Sequence, residues 1–130
     1  MWFKHSKDVN TPTRGARAEA LAEQYLTSQG LIARAKNYRC KAGEIDLIMS
    51  EGMTLVFVEV RLRSNSHFSS AAESVNYHKQ QKIIKTAQQF LLDMNLIDKV
   101  ACRFDVIALD HLASQAGDAK PDWIKNAFGA

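Results

Sequence analysis

Hydrophobic and polar positions along the chain follow two different periods. Apolar residues recur at i, i+3, i+4 and i+7 from about Thr13 to Gln29, and again from about Glu73 or Asn76 to Met94, which predicts two amphipathic helices. Shorter runs rich in β-branched and aromatic residues predict strands. These runs are Leu31–Tyr38, Glu44–Met49, Thr54–Arg61, Ala101–Leu109 and, more weakly, Trp123–Phe128. The predicted order is therefore α-β-β-β-α-β with an additional strand at the end.

These elements are too few for more than one hydrophobic core. A chain of 130 residues has the length of a single domain, and its 46% apolar and 24% charged residues are typical of a globular protein. We therefore expect a flexible arm over residues 1–12 and a single α/β domain over residues 13–130.

The second and third predicted strands form a hairpin that brings acidic residues together. With Gly52 at the first central position of a type II′ turn, the register pairs Asp46 with Glu59. A turn slipped by one residue on each strand pairs Glu44 with Glu59 instead. In either register two carboxylates face each other, with Cβ atoms about 4.5–5.5 Å apart.

Strand alternation predicts which of these side chains share a face, because successive residues point to opposite sides of a sheet. Glu44 and Asp46 therefore face one side, and Ile45 and Leu47 face the other.

Opposed carboxylates are costly unless their charge is compensated. They repel each other, and the strand around Glu59 is almost entirely apolar, so burial adds a desolvation cost. A divalent cation removes both costs, and Mg²⁺ takes one or two carboxylates while it keeps waters and bridges to phosphates. Arg61, on the same face as Glu59, is placed to contact such a phosphate through two parallel hydrogen bonds. The alternative is a strand end whose acids pair with Arg61 and nearby bases.

Charge is segregated along the chain, although the net charge is only +3. Residues 42–60 contain four acids and no base, and they lie between segments 1–41 and 61–85, which carry net charges of +5 and +4. This pattern indicates an acidic centre between surfaces that attract phosphates, and ordinary solvated charge is the alternative. The candidate nucleic-acid-binding residues are Arg34, Lys36, Arg39, Lys41, Arg63, Lys79, Lys82 and Lys85.

Several other classes of protein are excluded by what the sequence lacks. Two cysteines are too few for a disulfide framework, no apolar run reaches the roughly 20 residues of a membrane helix, and the first residues contain no signal-peptide core. No P-loop, G-x-G-x-x-G or G-x-S-x-G motif occurs, and the four histidines lack the spacing of a zinc site. We expect a cytoplasmic protein with reduced thiols.

Two of the strands carry motifs that resemble those of a known family. GEIDLI (residues 43–48), followed by VFVEVR (residues 56–61), is similar to the signature of the YraN-like family of bacterial proteins, and the resemblance covers about residues 13–128. That family resembles archaeal Holliday junction resolvases and other PD-(D/E)XK nucleases. The resemblance implies a restriction-endonuclease-like αβββαβ core, in which a mixed central sheet is flanked by helices.

The resemblance also implies roles for single residues. It makes Asp46 and Glu59 catalytic acids that bind Mg²⁺ or Mn²⁺, and it places Arg61 at the position of the motif lysine. Glu19 corresponds to the first-helix acid that approaches the same centre, and Lys79 to a helix base near the path of the substrate. Because arginine stays charged at all working pH values, Arg61 is expected to stabilise phosphate charge rather than to act as a base.

The expected function is therefore a metal-dependent endonuclease that hydrolyses DNA phosphodiester bonds, with branched DNA as one substrate class. Two alternatives stay open at this point. One is a nucleic-acid-binding module that kept the fold without catalysis, and the other is a protein-interaction domain whose acidic site is a remnant. DNA is the expected partner, no membrane is expected to be involved, and a homodimer is left open.

Overall fold

A computed structural model describes residues 14–63, 75–110 and 121–129. Its helices and strands are α1 (Arg14–Ser28), β1 (Ile32–Cys40), β2 (Gly43–Glu51), β3 (Thr54–Arg63), α2 (Tyr77–Asp93), β4 (Ala101–Asp110) and β5 (Asp122–Phe128). The predicted arm over residues 1–12 lies outside the described residues. Neither of the two described helices is long and apolar enough to cross a membrane.

The five strands form one mixed sheet in the order β1-β2-β3-β4-β5. β3 and β4 run parallel, and the other neighbouring strands run antiparallel. The predicted α/β class, the αβββαβ order and the mixed central sheet are confirmed, and the last predicted strand joins this sheet as its edge.

The helices cover opposite faces of the sheet. On one face α1 buries Ala22 and Leu26 against β2, β3 and β4, and on the other α2 buries Ile83 and Phe90. The central strands therefore carry apolar residues on both faces, which is why their sequences are almost continuously hydrophobic. The predicted flanking of the sheet by helices is confirmed, and this three-layer packing fixes where the ends of β2 and β3 lie relative to both helices.

The hairpin of β2 and β3 has the first of the two predicted registers. Glu51 pairs with Thr54, and Leu47 pairs with Val58. Gly52 has a φ of 59°, which the first central residue of a type II′ turn requires and which glycine adopts without a steric cost. The slipped register, with Glu44 opposite Glu59, is wrong.

The predicted alternation of side chains fails at one point in β2. Ile45 packs into the core on the α2 side, whereas Leu47 packs on the α1 side, although residues two positions apart in a regular strand share a face. The pleat is interrupted between the pairs Lys36–Leu47 and Tyr38–Ile45, where the intervening Asn37 has a φ of 51°. Asn37 belongs to β1 and lies opposite Asp46, so its unusual backbone conformation faces the point in β2 at which the alternation changes. The expectation that Ile45 and Leu47 share a face is therefore wrong.

A buried carboxylate attaches the edge strand β5 to the sheet. Asp105 is completely buried in β4 and accepts hydrogen bonds from Arg103 Nε at 3.0 Å, from Trp123 Nε1 at 2.9 Å and from the backbone N–H of Asn126 at 2.9 Å. Arg103 also donates to Glu51 at 2.6 Å. Because two of the donors belong to β5, Asp105 holds an edge strand that has little burial of its own.

Replacing Asp105 with asparagine is expected to destabilise the protein by about 2–3 kcal/mol. The amide keeps the shape of the side chain, but it removes the negative charge beside Arg103 and weakens charge-assisted hydrogen bonds. Urea unfolding measures this loss. As a control, Asp98→Asn changes an exposed carboxylate and is expected to stay within about 0.5 kcal/mol of the wild type. Equal unfolding midpoints for the two variants contradict the structural role of Asp105.

Candidate functional site

The candidate site lies where the hydrogen-bonded ladder between β2 and β3 ends. The last described pair of that ladder is Leu47–Val58. One residue further, the side chain of Asp46 replaces the main chain as the acceptor, since its Oδ2 accepts the backbone N–H of Val60 at 2.9 Å. The Asp46 carboxylate is thus fixed against the neighbouring strand, next to Glu59.

Glu59 is the second carboxylate of the site, and only 5% of its surface is exposed. Its Oε2 lies 3.5 Å from Arg61 Nη1 and 3.5 Å from Lys79 Nζ. Arg61 comes from the same strand, whereas Lys79 comes from the first turn of α2. The site therefore combines residues from β2, β3 and α2, and we call Asp46 and Glu59 the acidic pair.

Burial and mutual repulsion make ionisation of the acidic pair unfavourable. Burial, followed by the charge of Glu59, raises the pKa of Asp46 to about 8, against the weaker effect of the Val60 hydrogen bond. Burial also raises the pKa of Glu59, although the charges of Lys79 and Arg61 act in the opposite direction. Among the described residues, no lysine or arginine forms an ion pair with Asp46. Positive charge therefore compensates Glu59 but leaves Asp46 without a cationic partner in the described part of the chain.

Glu19 reaches the same region from α1, on the other side of the sheet. Its charge contributes to the raised pKa of Asp46, and so does the charge of Glu44. The Oε1 of Glu19 accepts a hydrogen bond from Asn37 Nδ2 at 3.0 Å, so the residue that interrupts the pleat of β1 also orients Glu19. Sequence reasoning missed this use of Asn37; the signal was an asparagine inside a strand, since asparagine is a residue that tolerates positive φ.

Gly43 is a second residue whose role was missed. It begins β2 with a φ of 152°, and a Cβ at this position would lie 3.1 Å from Thr86 Oγ1 on α2. The glycine of the GEIDLI motif therefore lets β2 start in close contact with the helix that carries Lys79. A side chain there would be strained at this φ and would require the Thr86 hydroxyl to move by a few tenths of an ångström.

The donor set of the acidic pair suits a hard divalent cation. Across residues 14–63, 75–110 and 121–129, no three His, Cys, Asp or Glu side chains are grouped closely enough to hold a metal ion alone. Two carboxylates are nevertheless the protein ligands that Mg²⁺ commonly uses, because it keeps several waters and completes its shell with substrate oxygens. A cation here would remove the repulsion that raises the pKa of Asp46.

The basic residues predicted to bind nucleic acid fall into two groups in the structure. One group is engaged within the fold: Lys36 pairs with Glu23, Arg39 with Glu44, Arg63 with Asp122 and Lys79 with Glu59, and Arg34 donates to Ser50. The other group, Lys41, Lys82 and Lys85, is exposed. Tyr38, next to this basic run, lies buried in the core and donates to Asp93.

The structure brings some of the predicted residues together and separates others. Asp46, Glu59, Arg61 and Lys79 surround one point, and Glu19 interacts with Asp46 electrostatically. Arg34 does not join them, because Ser50 lies four residues from Asp46 along β2. The candidate site is thus a compact acidic centre with two cations, not a continuous basic surface.

Comparison with known proteins places this arrangement in a family. The model of the uncharacterised protein family UPF0102 matches residues 18–109, a range that contains Glu19, the acidic pair, Arg61 and Lys79. The chain belongs to UPF0102. This is the YraN-like family that the GEIDLI and VFVEVR motifs indicated, so the family prediction is confirmed.

Relatives within UPF0102 are similar over nearly their whole length. A UPF0102 protein of Saccharophagus degradans is 54% identical over 114 residues, which are 88% of this chain and 91% of the relative. One of Methylobacillus flagellatus is 49% identical over 116 residues, covering 89% and 96%. One of Aeromonas hydrophila is 48% identical over 120 residues, covering 92% and 87%. The UPF0102 match establishes membership and leaves the activity to be argued from the site.

Proposed function

We propose that this protein is a metal-dependent endonuclease that hydrolyses DNA phosphodiester bonds, with branched DNA as one substrate class. The observation that carries this proposal is the Asp46 carboxylate, which is held beside Glu59 without a cationic partner among the described residues and has its pKa raised to about 8. Perturbed carboxyl groups of this kind cluster at functional sites, because a fold without a use for them gains stability by losing them.

Each residue of the site has its own role in the proposed reaction. Asp46 and Glu59 would hold Mg²⁺ or Mn²⁺ through carboxylate oxygens, and the Val60 carbonyl would be a further ligand. When bound, the metal would supply a Lewis acid that lowers the pKa of water and offsets negative charge on the phosphate. Arg61 donates hydrogen bonds to the non-bridging phosphate oxygens, and its guanidinium keeps its charge at every working pH. Glu19, oriented by Asn37, accepts hydrogen bonds from the waters around the centre.

The exposed cations support DNA as the partner. Lys41 lies between β1 and β2, near the start of the strand that carries Asp46, and Lys82 and Lys85 continue along the helix that carries Lys79. Lysines that follow one helix face toward an acidic centre can contact successive phosphates and position the backbone. Action on DNA agrees with the cytoplasmic location expected from the sequence.

A cleavage assay tests the proposal directly. Labelled four-way junctions and matched linear duplexes are incubated with Mg²⁺, with Mn²⁺ or with a chelator, and the products are resolved on denaturing gels. We expect cleavage of the junction with either metal and none with the chelator. Intact DNA under all three conditions, with a protein shown to be folded, contradicts the endonuclease proposal.

A second candidate function is a nucleic-acid-binding module without catalysis. Arg61 at the motif-lysine position favours it, since arginine cannot accept a proton from the attacking water. The compensation of Glu59 by two cations also weakens the demand for a metal at that carboxylate. DNA binding without cleavage is the result expected from this candidate.

Both nucleic-acid candidates predict steep dependence of DNA affinity on salt. If Lys41, Lys82 and Lys85 contact phosphates together with Arg61 and Lys79, the slope of log affinity against log salt should be about −4 to −5. Fluorescence anisotropy of a labelled junction between about 50 and 200 mM salt measures the slope. Affinity that is independent of salt, or absent throughout, favours a protein-interaction domain instead.

A further inference from the structure

Two cations of different origin contact the same oxygen of Glu59. Arg61 Nη1 and Lys79 Nζ each lie 3.5 Å from Oε2, while the carboxylate itself is almost fully buried. Arg61 approaches along β3, and Lys79 approaches across the layer boundary from α2. Lys79 therefore contacts Glu59 from the α2 layer, whereas the residues of the two strand motifs lie within the sheet.

The position of Lys79 is fixed by the start of α2. Asn76 caps the helix, and its Oδ1 accepts the backbone N–H of Lys79 at 2.9 Å. The residue before the cap, Val75, is buried, and its carbonyl accepts a hydrogen bond from Gln80 Nε2 at 2.9 Å. The backbone N–H of Lys79 is thus held at the capped start of α2, and from there its ammonium reaches Glu59 Oε2 at 3.5 Å.

The contact between Lys79 and Glu59 is nevertheless loose. Its length of 3.5 Å exceeds the 2.8 Å of Lys36–Glu23 and the 2.6 Å of Arg103–Glu51, and the Lys79 side chain is 44% exposed. Strong charge-assisted hydrogen bonds are about 2.7–2.9 Å long. Lys79 is therefore close enough to compensate Glu59 and free enough to reach an incoming group.

We propose that Lys79 is a phosphate-positioning residue of the acidic pair and that it rests on Glu59 only while the pair is without a divalent cation. This inference rests on the proposed function. A cation held by Asp46 and Glu59 repels the ammonium of Lys79, which then lies next to the position where a phosphate must approach the metal. Arg61 holds that phosphate from the strand side with a planar fork, and Lys79 holds it from the helix side as a compact point charge.

Replacing Lys79 with methionine separates this role from ordinary surface charge. The variant is expected to bind Mn²⁺ about 3–10-fold more tightly in calorimetry, because it removes a positive charge that competes for Glu59. Its kcat for junction cleavage is expected to fall about 10–100-fold with little change in KM, because the phosphate is held less accurately. Lys79→Arg, which keeps the charge, is expected to restore part of kcat.

Two matched variants complete the experiment. Lys85→Met removes a lysine six residues along the same helix, about 9 Å further from the site, and is expected to weaken DNA binding without tightening Mn²⁺ binding. Lys99→Met removes an exposed lysine just before β4, near the opposite end of the sheet, and is expected to match the wild type in both measurements.

The outcomes distinguish the inference from the function on which it rests. If the wild type binds Mn²⁺ and cleaves DNA, but Lys79→Met and Lys85→Met change Mn²⁺ affinity and kcat alike, Lys79 is an ordinary phosphate contact and the inference is wrong. If the wild type neither binds Mn²⁺ nor cleaves DNA, the endonuclease proposal fails and the role of Lys79 fails with it. Tighter Mn²⁺ binding together with a lower kcat, confined to Lys79→Met, supports the inference.

Discussion

Asp46→Asn is expected to abolish Mn²⁺ binding and to lower the rate of DNA cleavage by at least about 10³-fold, which corresponds to roughly 4 kcal/mol of activation free energy. Asparagine keeps the size of the side chain and an oxygen that accepts the Val60 N–H, so the local fold is retained. It removes the negative charge that, with Glu59, holds the cation. Cleavage assays and calorimetry with Mn²⁺ measure the two losses.

The same substitution is expected to stabilise the metal-free protein. A carboxyl whose pKa is about 8 in the folded state and ordinary in the unfolded state binds more protons when folded, so its contribution to stability is lost as pH rises from about 4 to about 8. Asparagine does not titrate, so its contribution to stability does not fall over this pH range. Asp46→Asn should therefore equal the wild type near pH 4 and exceed it by about 1–3 kcal/mol at pH 8.

Glu44→Gln provides the control for charge alone. Glu44 lies two residues before Asp46 on the same strand, but its side chain is 40% exposed and pairs with Arg39. Because the charge of Glu44 is the smallest contribution to the raised pKa of Asp46, its loss should change Mn²⁺ binding and the pH dependence of unfolding far less than Asp46→Asn does. If Asp46→Asn is less stable than the wild type at pH 8, the raised pKa of Asp46 is refuted, and if it gains as much stability from Mn²⁺ as the wild type, the metal role of Asp46 is refuted.

Arg61→Ala is expected to lower the cleavage rate by about 10²–10³-fold, the usual effect of removing one preorganised donor from developing charge. Mn²⁺ affinity should stay the same or rise, because the guanidinium that lies 3.5 Å from Glu59 no longer competes with the metal. Arg61→Lys should keep the activity or increase it, since lysine is the commoner residue of the motif and also donates to phosphate. Single-turnover cleavage of a four-way junction compares the three proteins.

The outcomes for Arg61 decide between the two nucleic-acid functions. Cleavage by Arg61→Ala at the wild-type rate excludes Arg61 from the active centre. Activity in Arg61→Lys with an inert wild type shows that arginine silences the site. If both are inert while DNA still binds, the protein is a nucleic-acid-binding module. Lys99→Ala, the loss of an exposed cation near the other end of the sheet, serves as the control.

The amino-acid sequence by itself determined the order of the elements and the family, and it narrowed the hairpin to two registers that each place two carboxylates opposite each other. Each depends on residues close together in the chain: the apolar periods, Gly52 in a two-residue turn, and two short motifs. Once the turn places Glu51 opposite Thr54, the neighbourhood of Asp46 and Glu59 follows from counting along two strands. Local geometry is therefore sufficient to predict that the acidic pair exists.

The tertiary structure alone decided how that pair is charged. The burial of Asp46 depends on two helices that pack on opposite faces of the sheet, and so do the approach of Glu19 from α1 and the contact of Lys79 with Glu59. These helix residues are 18 residues or more away in the chain from the strand residues with which they interact. Lys36 and Arg39 belong to a basic run in the sequence, but in the structure each forms an ion pair with an acidic residue. Desolvation and charge compensation depend on what surrounds a side chain in space, and a linear pattern does not contain that information.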